Sequence, residues 1–352
     1  MNLPSAETRI GGVPVQLATR VFVCAAVLLV LIGGNQAASA HPRPAAKTLQ
    51  QYGLAAYDWH PASQLTTSQA RQRFGYLRQN GFKTVYLDFG DYLDAADRPE
   101  SEEQQERIAE LRRSLKRYVS DASSFGLAVH AVGGGPSWTD EGLRYLGPLL
   151  VELVADYNAD ADADERLRGV NLDIEPYADP SFFDDVESSI DAYLQTIEDI
   201  VQTYRPLASR FPNRQLQLGF AIPFWLDAGR EALGPVTFNG ATKAAAFHII
   251  DMIKDLRRAY LVVMSYRNFA KGIDGSIFHA RKEFVYASLK RAKCGLVIGQ
   301  QFTDVEPPKI TFHGRSRRAF DNAAEQIVRA FGHVAQFRGL SIDDLDAYMA
   351  IE

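Results

Sequence analysis

Eight short apolar runs, the first seven each followed by a longer stretch with helical spacing, organise this chain from residue 53 to its end. The runs fall at 53–59, 84–89, 127–132, 169–175, 215–221, 260–266, 295–300 and 339–342. Between them Ile108, Leu111, Leu115 and Tyr118 recur three and four apart, with Glu103 four residues before Arg107 on a wetter face, which is the pattern of an amphipathic helix. Further helical stretches are expected at about 68–79, 141–157, 184–204, 242–256, 282–292 and 319–331. Aliphatic strands that alternate with helices imply a parallel sheet covered by helices. Eight such units in this length favour closure into a single-domain (β/α)8 TIM barrel. The chain stops soon after the eighth run, so the last helix should be short or missing, with 345–351 in its place. An open doubly wound sheet is disfavoured, because Tyr57-Asp58-Trp59-His60-Pro61 stands where a Gly-x-Gly-x-x-Gly phosphate loop would follow the first strand.

The first forty residues read differently. Arg9 and Arg20 sit in a polar leader, an apolar run covers 21–32, and Ala38-Ser39-Ala40 precedes His41. That is the layout of a secretory signal peptide at 1–40, with the mature barrel at 41–352 and a secreted or periplasmic location. An uncleaved N-terminal anchor is the competing reading. The apolar run is short for a bilayer span, so no stable membrane insertion is expected after cleavage. Loss of the leader removes Cys24 and leaves Cys294 without an intramolecular partner, so the fold must rest on its core. A net charge of −5 gives no footprint for nucleic acid.

The fourth run carries the chemistry. In Gly169-Val170-Asn171-Leu172-Asp173-Ile174-Glu175-Pro176-Tyr177 the polar groups at 171, 173 and 175 alternate with aliphatics, so an extended strand presents all three on one side. Burying two carboxylates there is costly unless proton transfer or charge stabilisation needs them. In a barrel the active site lies at the C-terminal ends of the strands. Asp58, Trp59 and His60 after the first strand, Asp88 at the second, Trp138 after the third and Trp225 after the fifth fall in that zone. Aromatic rings beside carboxylates suit a sugar, whose apolar face packs on a ring while its hydroxyls take polar partners.

The fourth run resembles the signature D-G-x-D-x-D-x-E of the chitinase-type glycoside hydrolases, glycoside hydrolase family 18. Ala131-Val132-Gly133-Gly134 resembles that family's S-x-G-G at strand three, and Met264-Ser265-Tyr266 resembles its M-[ST]-Y at strand six. The resemblance implies a retaining, substrate-assisted hydrolase with no cofactor. Glu175 would be the general acid and base. Asp173 would orient the substrate's 2-acetamido group, Asn171 would support Asp173 from one step deeper, and Tyr266 would donate to the acetamido oxygen. Asp58, Trp59, Asp88, Trp138, Tyr177 and Trp225 are expected to line the substrate site.

Three positions depart from the pattern. Arg168 replaces the first acidic residue, Arg267 stands where the family has Asp after the tyrosine, and Asp343 stands where it has a tryptophan floor. A cation at 267 and a carboxylate at 343 imply a sugar other than plain N-acetylglucosamine, one bearing negative charge among the candidates. The sequence therefore reads as a secreted glycoside hydrolase acting on an amino-sugar or exopolysaccharide glycan. The alternative is a glycan-binding protein that has lost turnover. A metal-dependent hydrolase using Asp58, His60, Asp88 and Glu175 ranks last, because no two histidines pair at ligand spacing.

Overall fold

Eight parallel strands close on themselves in sequence order: β1 (Leu54–Asp58), β2 (Phe82–Asp88), β3 (Ala128–Gly133), β4 (Gly169–Leu172), β5 (Gln217–Pro223), β6 (Ala259–Met264), β7 (Gly295–Gln301) and β8 (Phe337–Asp343), with β8 returning to β1. The computed structural model describes residues 48–210, 216–227 and 233–351; the leader, Cys24, the 41–47 linker and residue 215 of the expected fifth strand lie outside them. The helices packed around the sheet are α1 (Thr67–Gln79), α2 (Glu102–Ser124), α3 (Leu146–Ala159), α4 (Val186–Arg210), α5 (Ala245–Ile253), α6 (Ser276–Leu289), α7 (Arg317–Phe331) and a six-residue α8 (Leu345–Ala350). This is the (β/α)8 barrel with a shortened last helix.

Local chemistry fixes these elements. In α2 the Ser101 hydroxyl accepts from the Gln104 amide at 3.1 Å, Glu102 and Glu103 face the positive end of the helix dipole, and Leu111, Leu115, Tyr118 and Val119 form the buried stripe. Two cores result. A large one fills the space between strands and helices, and a smaller one, containing Ala55, Tyr57, Tyr86, Tyr260, Val262 and Val297, fills the barrel itself.

Several boundaries differ from the sequence reading; α3 starts at Leu146 instead of 141, and α4 runs to Arg210 instead of 204. Regular pairing in β4 ends at Leu172, because Pro176 has no N–H to continue a ladder and draws the chain into a 3-10 turn at Pro176–Ala178. Helix α6 begins six residues earlier than expected, directly after Gly275. Thr242 belongs to a small antiparallel hairpin, Val236–Phe238 with Ala241–Lys243, instead of the helix that follows it. Among the described residues no helix is long and apolar enough to cross a membrane.

Candidate active site

The chain leaves β4 with Asp173 still tied to its neighbour, since the Asp173 amide donates to the Gly133 carbonyl at 3.0 Å. Gly134 makes that approach feasible: a Cβ there would fall 2.1 Å from the Asp173 carbonyl oxygen. Two residues on, Glu175 is held by the Tyr177 hydroxyl, which donates to its Oε1 at 2.6 Å, and the Tyr177 ring meets Trp225 edge to face with centroids 4.9 Å apart. From the opposite wall β8 contributes Asp343, paired in register with Gln301 of β7. Trp59 Nε1 donates to Asp343 Oδ1 and Gln301 Nε2 to its Oδ2, both at 2.8 Å. Trp59 also stacks on Tyr57 with centroids 5.5 Å apart.

The three carboxyls feel one another. Burial pushes Asp173 well above the ordinary carboxylate range, and the charges of Glu175 and Asp343 push it further. Glu175 is raised first by burial and then by Asp343, with the Tyr177 hydroxyl pulling the other way. Asp343 is raised by burial against the two hydrogen bonds it accepts. Tyr266 packs against the inner core beside Gly299, its hydroxyl is raised by burial and by all three carboxyls, and it makes no hydrogen bond to the described residues. Asp173 Oδ1 is buried and likewise lacks a partner among the described residues. The mouth thus holds carboxyls that burial biases toward the protonated form, an unused acceptor and an unused donor.

One layer deeper a polar ladder supports the mouth. Tyr57 donates to Asn171 Oδ1 and Asn171 Nδ2 donates to the Tyr260 hydroxyl, both at 3.1 Å. Asn171 is 0 % exposed and both ends of its amide are engaged, so it supports the site without reaching a ligand.

Four expected site residues lie elsewhere. Asp58 is 1 % exposed and turns to the helix layer, where Arg73 donates to both its oxygens, at 2.7 and 3.2 Å, and Tyr118 adds a third bond at 3.2 Å. Asp88 accepts from the Gly90 amide at 2.8 Å and starts the short helix Gly90–Ala96; its charged neighbours are Asp91, Asp94 and Asp58. Trp138 is packed into the outer core against Gly133 and Gly135. Arg267 spends its charge on Asp274, with guanidinium nitrogens at 2.7 and 2.9 Å from Oδ1, and its face covers Phe224. Among the described residues no cation offsets the three carboxyls, and the argument for an acidic sugar that rested on Arg267 falls. The set Asp58, His60, Asp88 and Glu175 is not brought together, and among the described residues no group of three metal-ligating side chains converges.

Tyr57 and Gln301 were not singled out from the sequence. Both sit at period-two positions of their strands, Tyr57 after Ala55 and Gln301 after Val297 and Gly299, so strand parity combined with register would have found them.

Neither a protein-family model nor a curated relative matches the sequence. Among solved structures the chain is similar to a GH18 chitinase from Pseudoalteromonas aurantia, with 12 % identity and a TM-score of 0.48 over 84 % of this chain and 94 % of that one. It is also similar to a GH18 chitinase from Cycas revoluta in complex with (GlcNAc)3, at 10 % identity and a TM-score of 0.45 over 84 % and 95 %. A third is the exo-beta-1,4-mannosidase Op5Man5 from Opitutaceae bacterium strain TAV5, at 13 % and 0.47 over 83 % and 51 %. Likenesses this distant say nothing of activity; the barrel assignment rests on the strand pairing itself.

Proposed function

We propose that the protein is an exported glycoside hydrolase whose general acid and base is Glu175 and whose substrate is a polysaccharide containing N-acetylated amino sugar. The observation that carries this reading is the juxtaposition at one barrel mouth of a carboxyl raised above its ordinary range by burial, Glu175, with a buried acceptor, Asp173 Oδ1, that has no partner among the described residues. In the proposed reaction Glu175 protonates the glycosidic oxygen as the bond to the anomeric carbon breaks. The substrate's acetamido carbonyl attacks the same carbon from the other face, and Asp173 accepts the acetamido N–H and stabilises the positive charge of the cyclic intermediate. Tyr266 donates to the acetamido oxygen. Glu175, now ionised, takes a proton from the water that opens the ring, so configuration is retained. Trp59 offers a partly exposed ring at the rim.

The cluster of carboxyls favours a neutral or amine-bearing glycan over an acidic one, because an added negative charge would meet carboxyls whose mutual influence and burial already disfavour negative charge there. Loss of turnover with retained binding is the alternative, favoured by the replacement of an aromatic floor with Asp343.

A panel of neutral, amine-bearing and acidic polysaccharides, assayed for new reducing ends and for retained ligand, tests the reading. Cleavage of an acetamido-sugar polymer with the β or α configuration of the product preserved by NMR is expected. Retention of a glycan without new ends would favour the binding protein, and inverted product would remove the acetamido route.

A further inference from the structure

The opposite end of the barrel carries a second, separate constellation. A cavity of about 200 Å³ opens at the N-terminal ends of the strands, rimmed by Lys83, Arg257, Arg258 and Arg338, and no Asp or Glu lines it. In a chain with net charge −5 this segregation of cations is specific to the one mouth. The backbone makes room for two of them. A Cβ at Gly53 would fall 2.5 Å from Lys83 Cδ, and one at Gly295 would fall 2.4 Å from Arg338 Cγ, so these stems lie across the starts of β1 and β7. Lys83 Nζ gives one proton to the Gln51 carbonyl at 2.8 Å, and Arg338 donates to the carbonyls of Ala335 and Phe337 at 2.6 and 3.3 Å. A lysine has three donors and an arginine five, so both keep donors in hand. Among the described residues no carboxylate pairs with Lys83, Arg257 or Arg338.

The cavity also reaches a buried imidazole. His130, 2 % exposed, lines it together with Tyr86 and Tyr260. Its Nδ1 lies 2.9 Å from the Tyr260 hydroxyl, while its Nε2 has no partner. The ladder above continues into this end of the barrel. Asn171 accepts from Tyr57 through Oδ1 and donates to the Tyr260 oxygen through Nδ2, and the Tyr260 hydroxyl is shared between Tyr86 and His130 Nδ1. In the tautomer that takes the Tyr260 proton on Nδ1, the imidazole carries its own proton on Nε2, a buried N–H with nothing among the described residues to receive it.

We propose that this mouth binds a compact oxyanion, a phosphate group, with Lys83, Arg257 and Arg338 around its oxygens and His130 Nε2 beneath. Guanidinium forks and an ammonium match tetrahedral oxyanions through charge-assisted hydrogen bonds. The volume admits inorganic phosphate or a small monoester whose organic part packs on the Tyr86 and Tyr260 rings. The site lies at the end of the barrel remote from Glu175 and does not depend on the hydrolase reading.

Calorimetric titration of the purified protein with inorganic phosphate, at ionic strength held with chloride, tests it. One saturable site is expected, with a melting temperature that rises with phosphate and not with equimolar chloride. Arg257→Ala and Lys83→Ala, both at exposed side chains, should each weaken binding at least tenfold while leaving the chloride-only melting temperature unchanged. Glycerol phosphate distinguishes the sources: equal or tighter binding identifies a monoester, and weaker binding identifies the free ion. Absence of saturable heat, or phosphate affinity unaltered in the Arg257→Ala, Lys83→Ala double variant, would overturn the proposal.

Discussion

Glu175 is poised by two opposing contacts, and each can be removed alone. A general acid works only while protonated, so activity falls as pH rises through its pKa. Tyr177 lowers that pKa by its hydrogen bond and Asp343 raises it by its charge. Tyr177→Phe should therefore move the basic limb of the kcat/KM profile to higher pH, and Asp343→Asn should move it to lower pH. Shifts in the same direction would refute the assigned causes. Asp173 shows the cost of the arrangement. Its folded-state pKa is raised, so its contribution to stability is fully present below the unfolded value of about 3.9 and is lost as pH rises through the folded value. Asp173→Asn should consequently melt at a higher temperature than the parent at pH 7, with the difference vanishing near pH 3, while turnover falls sharply. A variant less stable at every pH would contradict the placement of this carboxyl.

Elements decide which of these residues meet. Gly134 lets β3 and the end of β4 close on each other, and with a Cβ 2.1 Å from the Asp173 carbonyl a Gly134→Ala change must displace Asp173. A folded Gly134→Ala protein is expected to lose at least a hundredfold in kcat, read against its circular dichroism; unchanged kcat would show that the β3 contact does not set the site. Strand β1 makes the complementary case. Tyr57 faces the barrel and Asp58 the helices, where the Arg73 pair is closed off from water. Asp58→Ala should cost about 1–3 kcal/mol in denaturant unfolding, because Tyr118 loses its acceptor and Arg73 one of its two carboxylate partners while Asp346 still holds the guanidinium, and should leave kcat unchanged under native conditions. A loss of kcat with stability intact would return Asp58 to the site.

The same strand explains what the sequence could and could not tell. The eight strands were legible because fully buried parallel strands leave uninterrupted aliphatic runs, and α2 was legible from the spacing of Leu111, Leu115 and Tyr118. The 171, 173, 175 alternation was legible because aliphatics occupy the intervening places. All five residues of β1 are buried on both faces, so no alternation reveals that Asp58 points outward. Trp138 lay at the correct end of its strand but on the wrong side of it. The partner of Arg267 sits in a loop seven residues away, a contact that only the tertiary path creates.

At the scale of the molecule the barrel separates charge. Three carboxyls gather where β4 and β8 end, four cations ring the opposite mouth, and a column of tyrosines with Asn171 and His130 fills the space between them. A closed sheet has no exposed edge, and its interior can therefore hold polar groups that a strand edge would leave to water. What this arrangement is for turns on one side chain. The direct measurement is reducing-end release by the purified protein and by Glu175→Gln on whichever polysaccharide the parent cleaves, with affinity for the same glycan measured beside it. The account predicts a fall in turnover of about 10²–10⁴-fold with affinity held within a few-fold. Turnover undiminished in Glu175→Gln would contradict it.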